Sequence, residues 1–161
     1  MRRIKLDKID RRILRDLQAN GRITNVELAR RAGISAPPCL RRVRALEEAG
    51  FIRGYHADVN PEALGFGVTV FAQVGLSSQA EPDLKAFEAL TSAWPEVREA
   101  HMLAGETDFL LKIVATDWDS YQRFLTTKLT AAPNVAHVRS SLAIRPSKYE
   151  PGVPIEVDGK I

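Results

Sequence analysis

The 161-residue chain has one cysteine and no apolar run approaching the ~20 residues needed to span a bilayer. A lone cysteine excludes an internal disulfide framework and fits a reducing compartment. Charges interrupt MRRIKLDKID at the N-terminus every two or three positions, so no signal-peptide core is expected there. The three histidines, His56, His101 and His137, have no metal-ligand spacing, and no nucleophile–base pair is suggested by nearness in sequence. The GFG at 65–67 lacks the strand-then-helix setting of a nucleotide loop. These absences point to a cytoplasmic protein that is not an enzyme, carries no cofactor or metal and has no membrane partner.

What is present is unevenly distributed. Residues 1–53 carry 14 Lys+Arg against 6 Asp+Glu, whereas residues 54–161 carry 9 against 14. A surplus of eight positive charges beside a deficit of five implies a polyanion-binding part joined to a part with another task.

Leu6, Ile9, Ile13, Leu14 and Leu17 fall at helical spacing, Asp7 is a suitable N-cap, and Asn20-Gly21 is a stop signal. Thr24 and Glu27 form a capping-box pair opening a second helix, with Val26, Leu28, Ala29 and Ala32 as its apolar positions and Gly33 as its end. A third helix follows within ISAPPCLRRVR. Pro37 and Pro38 are tolerated in a first turn, whose amides have no intrahelical partner. If Ser35 is the N-cap, the amides its hydroxyl would receive are missing, which leaves it free for a phosphate.

Two helices joined by a short Gly turn, the second strongly basic, make a helix-turn-helix. On a helical wheel Cys39, Leu40, Val43 and Leu46 cluster on one side. Pro37, Pro38, Arg41, Arg44 and Ala45 point the other way, with Arg42 on the flank. The N-terminal half of such a helix enters the major groove. Arg41 is expected to contact a base or phosphate, and Arg42 and Arg44 to hold phosphates. For any single arginine a solvated face is the plainer reading; the cluster within this motif argues for DNA. Arg2, Arg3 and Lys5 offer a basic arm. Cys39 reads as a small buried hydrophobe.

The run from LDKIDRRIL through NGRITNVELA, the GIS turn, PPCLRRVRALE and GFIRGYHADVNP closely resembles the N-terminal half of the Lrp/AsnC (leucine-responsive regulatory protein, feast/famine) family. The resemblance implies a winged helix-turn-helix DNA-binding domain over residues 1–60. Its connecting strand would run through Ile52 to Val59.

Beyond the turn-rich NPEALGFG the pattern changes. GVTVFAQVGL alternates as a strand with Val68, Val70, Ala72 and Val74 on one face. Pro82 opens a helix carrying Leu84, Phe87, Leu90 and Trp94. VREAHMLA and DFLLKIVA flank the hairpin signal Gly105-Glu106-Thr107. A capping box over Thr116-Asp117-Trp118-Asp119 starts a helix with Tyr121, Phe124, Leu125 and Leu129, and VAHVRSSLAI is the last strand. The order is β-α-β-β-α-β, the ferredoxin-like arrangement, over residues 61–146, followed by an irregular tail, 147–161. Such a sheet has helices on one face only, and a second copy is the simplest cover for the other. Ferredoxin-like dimers also host small catalytic sites, for which His101, just ahead of the hairpin, is the histidine best placed.

This half is also similar to the amino-acid-binding regulatory (RAM-type) domain of the family, most sharply at HMLAGETDFLLK. The family's Gly and Asp, three residues apart, match Gly105 and Asp108. The resemblance implies dimers assembling further, as a tetramer of dimers, with a small amino acid held between them near this loop. A zwitterion needs an anion for its ammonium and donors for its carboxylate. Asp108 and the backbone around Gly105 would supply these, with Met102 and Leu103 shaping the side-chain pocket. Glu106 and Thr107 belong to the same hairpin, and Ser140 stands where relatives often have a hydroxyl. The plainer readings are a positive-φ turn at Gly105 and, for Asp108, bonds to its own hairpin amides.

The sequence is thus read as α+β, a winged helix-turn-helix followed by a ferredoxin-like domain. The expected function is an amino-acid-responsive transcriptional regulator binding double-stranded DNA. A ligand-insensitive architectural DNA-binding protein is the alternative.

Overall fold

The computed structural model describes residues 5–158, which leaves Arg2 and Arg3 of the expected basic arm outside the described residues. The chain divides into two compact units. One comprises the described residues up to Asp58 together with those from Lys148 onward; the other runs from Val59 to Ser147.

The first unit holds α1 (Lys8–Ala19), α2 (Asn25–Ala32) and α3 (Ala36–Glu48). Asp7 caps α1 by accepting from the Asp10 amide at 2.8 Å, while the Asp10 carboxylate accepts from the Asp7 amide at 3.1 Å. This reciprocal box satisfies two amides that the helix cannot. At the end of α2, Gly33 turns the chain in the left-handed region, φ 76°, a conformation glycine takes without Cβ strain. Ile13, Leu28, Ala29, Ala32, Cys39 and Leu46 form the core. Burial pushes the Cys39 thiol above its ordinary range, in keeping with an inert packing role.

Several local expectations are corrected here. Val26 is 72% exposed, because a residue two positions before Leu28 lies about 200° around the helix from it. Leu40 is 40% exposed, since it stands about 100° around the helix from buried Cys39 and about 60° outside half-buried Val43. Half of the Thr24–Glu27 box forms: the Glu27 amide donates to Thr24, but the Glu27 carboxylate turns to Arg30 and Arg31 at 2.7 and 2.8 Å. Those two arginines hold its pKa down to about 2. The expected strand from Ile52 to Val59 does not form. A strand needs a hydrogen-bonded neighbour, and the described residues of this unit contain none.

Residues from Lys148 onward are irregular, as expected, yet they are not a free tail. The Gln18 side chain donates to the Val153 carbonyl at 2.8 Å and accepts from the Val153 amide at 3.0 Å. Arg11 donates to the Glu156 carbonyl at 3.3 Å, and Lys8 pairs with Asp158 at 2.7 Å. Gly152, at φ 96°, precedes this contact, and a Cβ there would sit 2.2 Å from Gln18 Oε1.

The second unit is a four-stranded antiparallel sheet with β1 (Val68–Leu76), β2 (Val97–Met102), β3 (Phe109–Ala115) and β4 (Val135–Leu142), in the order β2-β3-β1-β4. α4 (Glu81–Ala93) and α5 (Trp118–Phe124) cover one face. Alternation places Val70, Ala72, Val74, Phe109, Leu111 and Ile113 beneath Phe87, Tyr121, Phe124 and Leu129. Phe87, Trp94 and Phe124 pack edge-on, with centroids 6.4 and 5.5 Å apart, tying α4 to α5. The cap of α5 is Asp117, one residue later than expected, accepting from the Ser120 amide at 2.7 Å. α5 continues as a π-turn, Leu125–Leu129, in which the Thr126 and Thr127 hydroxyls, and that of Thr130 at its C-terminal cap, donate back to earlier carbonyls. Among the described residues no helix is long and apolar enough to cross a membrane.

Gly152→Ala should release the terminal segment, because alanine at that φ is strained by about 1–2 kcal/mol and displaces Gln18. Hydrogen exchange should show the Val153 amide losing protection while the core strand β3 keeps its own. Unchanged protection at Val153 would mean that Gln18 does not hold the segment.

Candidate DNA-contact and effector surfaces

The DNA-contact candidate is built on α3. Ser35 is its N-cap and accepts no helix amide, because prolines occupy the first turn. Its side chain is exposed, as are Pro37, Arg41 and Arg44; Pro38 is half-buried. Arg41 and Arg44 make no ion pair or hydrogen bond among the described residues. Pro37, Leu40, Arg41, Arg44, Ala45 and Glu48 line one shallow depression along the helix. The structure thus brings Arg41 and Arg44 to one surface with Pro37 and adds Leu40. Helical periodicity carried that signal for positions 37, 41 and 44; Leu40, expected on the core side, joins them in the structure.

Arg42 departs from the expectation of a free phosphate contact. Its Nη1 lies 2.6 Å from an Asp10 carboxylate oxygen and 2.8 Å from one of Asp7, and Asp10 is buried. The guanidinium therefore joins the flank of α3 to the capping box of α1. Both partners raise the Arg42 pKa, Asp10 more strongly. At Asp7, burial opposes ionisation, but the Asp10 amide and the Arg42 guanidinium outweigh it and hold the carboxyl below its ordinary value. A second tie went unread in the sequence: Asn25 Nδ2 donates to the Ala36 carbonyl at 2.8 Å, fixing the start of α3 against the start of α2.

In the second unit, the six residues from Leu103 to Asp108 connect β2 to β3. The Leu103 amide donates to the Asp108 carbonyl at 2.8 Å, and the Asp108 amide donates to the Val74 carbonyl at 3.0 Å. The Asp108 carboxylate accepts from the Leu76 amide on β1 at 2.6 Å, so it bonds across the sheet rather than within its own hairpin. Met102, Leu103, Gly105 and Glu106 are exposed, and Thr107 is half-buried. Gly105 does not have the positive φ of the turn reading. Moreover, a Cβ there would meet nothing within 4 Å, so nothing in this chain requires glycine.

Ser140 is not gathered with that loop. It lies on β4, at the opposite edge of the sheet from β2, level with Ala72, and its hydroxyl hydrogen-bonds that of Tyr121. His101 lies 3.4 Å from Glu99, which pairs with Lys112 at 2.8 Å. No group of three His, Cys, Asp or Glu side chains able to hold a metal occurs among the described residues.

Comparison with known proteins gives consistent matches. A family model for the Lrp/AsnC ligand-binding domain matches residues 69–153, and a winged helix-turn-helix DNA-binding model matches residues 6–53. The chain is 59% identical over 146 residues to a leucine-responsive regulatory protein of Rhizobium meliloti, covering 91% of this chain and 94% of that one. It is 40% identical to the leucine-responsive regulatory protein of Escherichia coli K12, over 89% and 87% of the two chains. Among solved structures, a Neisseria meningitidis transcriptional regulator in complex with L-methionine superposes with a TM-score of 0.89 at 39% identity, covering 93% of this chain and 97% of that one.

Arg42→Ala should lose about 1–3 kcal/mol of folding stability at pH 7, because buried Asp10 keeps an unmatched charge. Arg41→Ala should stay within about 0.5 kcal/mol. A lowered carboxyl pKa stabilises the fold above the unfolded aspartate value, near ~3.9, and that stabilisation disappears as pH falls through the folded value. Urea unfolding should therefore show the wild-type advantage over Arg42→Ala steady above about pH 5 and shrinking in acid. Equal stability of the two proteins at pH 7 would refute a stabilising role for the Arg42 contact with Asp7 and Asp10.

Proposed function

The chain belongs to the Lrp/AsnC family, and from that premise we propose that it is a sequence-specific DNA-binding transcriptional regulator whose binding responds to a small amino acid. The observation that carries the reading is the face of α3 on which Arg41 and Arg44 project beside Ser35 and Pro37 without internal partners. An arginine can read a guanine edge with two hydrogen bonds or hold a phosphate, and an uncapped serine hydroxyl can donate to a phosphate. Arg41 reads base or phosphate and Arg44 positions a phosphate. Arg42 acts through the seat of the helix.

The effector reading rests on the loop from Leu103 to Asp108. Gly105 is unconstrained by its own chain, which supports close approach by a group from outside it. Asp108 supplies negative charge for an ammonium, and the exposed loop amides supply donors for a carboxylate. Met102, Leu103, Glu106 and Thr107 border that position. The Neisseria regulator was solved with L-methionine, which supports a free amino acid as the ligand class. Ser140 lies far from the loop within one chain, so its participation requires a second subunit.

A second copy also suits the sheet. Both helices lie on one face, and the other presents Phe71, Leu110 and Val114. A homodimer through that face, assembling further through the same domain, covers it. In such an assembly, DNA half-sites are matched by the spacing of recognition helices. A coupling of ~1–3 kcal/mol then suffices for a five- to 150-fold response. The relatives are regulators rather than enzymes, and we place the protein in the cytoplasm with no cofactor beyond its effector.

Fluorescence anisotropy on DNA from upstream of its own gene and on a control duplex tests this, across a salt series with and without each common amino acid. The expected outcome is a steep salt slope, preference for the upstream DNA and a shift with at least one amino acid. Specific binding that no amino acid moves would favour an architectural protein. Absence of binding at low salt would overturn the reading of α3.

A further inference from the structure

We propose that Leu40 is a specificity-determining residue that reads thymine through its C5-methyl group. The inference rests on the DNA-binding reading of α3 and extends it. Leu40 is 40% exposed in the second turn of the helix, although its type would favour burial. A single exposed leucine is ordinary on a protein surface; its setting here is what distinguishes it. Pro37 lies one turn before it, and Arg41 and Arg44 flank it, all lining the same depression.

The arrangement is an apolar knob at the edge of a pair of unpaired cations, with Glu48 in the same depression two turns further along the helix. Charge complementarity identifies the occupant as a polyanion, and the apolar centre requires an apolar group inside that polyanion. Within the major groove the only such group is the thymine methyl. Arg41 and Arg44 hold the helix against phosphates or guanine, which carries Leu40 to the base edges, with Pro37 widening the apolar contact. The ring of Pro37 has no amide to donate, so at this position the helix offers the groove an apolar surface beside the donors of Arg41 and Arg44.

The test selects duplexes from a randomised pool with the full-length protein. Each thymine of the enriched half-site is then replaced by deoxyuridine, which lacks only the methyl group. At one thymine or more, wild-type affinity should fall roughly three- to fivefold, the effect of losing one buried methyl. Leu40→Ala should bind the thymine and deoxyuridine duplexes alike at that position, with an unchanged thermal midpoint. Leu40→Gln, close in size, should behave the same way and serves if the alanine variant misfolds. Wild-type indifference to deoxyuridine at every position, or a Leu40 variant that keeps the distinction, would overturn the assignment. A pool that enriches no duplex would overturn the DNA-binding reading itself, a separate result.

Discussion

The contact between Arg42 and the paired aspartates of the α1 cap carries the DNA-binding unit. Two carboxylates brought together at a helix start repel each other, and each also serves an amide of the capping box. A guanidinium reaching both offsets part of that charge and fixes the side of α3 from which it projects. The Asn25–Ala36 bond fixes the start of the same helix. With two such ties, α3 has little freedom to roll, and the direction of Arg41 and Arg44 follows from where Arg42 is held. One arginine sets the geometry in which its two neighbours are presented.

The second unit follows a different constraint. Its core lies between two helices and one face of a sheet, linked by the Phe87–Trp94–Phe124 aromatic chain. The Tyr121 hydroxyl would be costly to bury alone, and Ser140 on the edge strand satisfies it. That bond explains a hydroxyl at position 140 by the fold alone. Gly105 shows the reverse case, a residue type for which the chain supplies no structural reason. Comparing the two separates residues retained for packing from residues available to a ligand more reliably than their nearness to a motif.

The architecture was legible in the sequence because it rests on periodicity and punctuation. The three helices, the stop at Gly33, the prolines opening α3 and the βαββαβ order all follow from local patterns. Side-chain partners were less legible. Val26 and Leu40 read as buried positions, Leu40 through a helical wheel that groups it with Cys39, Val43 and Leu46; both stand at the margin of the buried stripe or beyond it and are exposed. Glu27 had two possible partners, its own helix start and the arginines three and four residues on; charge prevailed over a neutral amide. Arg42 and Asp10 are 32 positions apart, and no local rule joins them. The strand expected over Ile52–Val59 failed for a related reason: strand formation is a property of pairs, and one segment's composition cannot supply its neighbour.

At Asp108 the proposed ligand contact would share one side chain with a structural bond. Its carboxylate accepts the Leu76 amide through one oxygen, which aims the group and ties the β2–β3 connection to the end of β1. A carboxylate has about four acceptor positions, so an ammonium can be accommodated on the other oxygen without breaking that tie. Replacing Asp108 by asparagine keeps an acceptor for Leu76 but removes the negative charge. The two roles thus separate by charge, and a ligand attracted by that charge would pull on the junction between the loop and β1. The same junction lies beside the register shift between Gly75 and Leu76, where β1 pairs irregularly with β4. A perturbation at the loop therefore meets the sheet at one of its irregular positions, where the pairing of β1 with β4 shifts register.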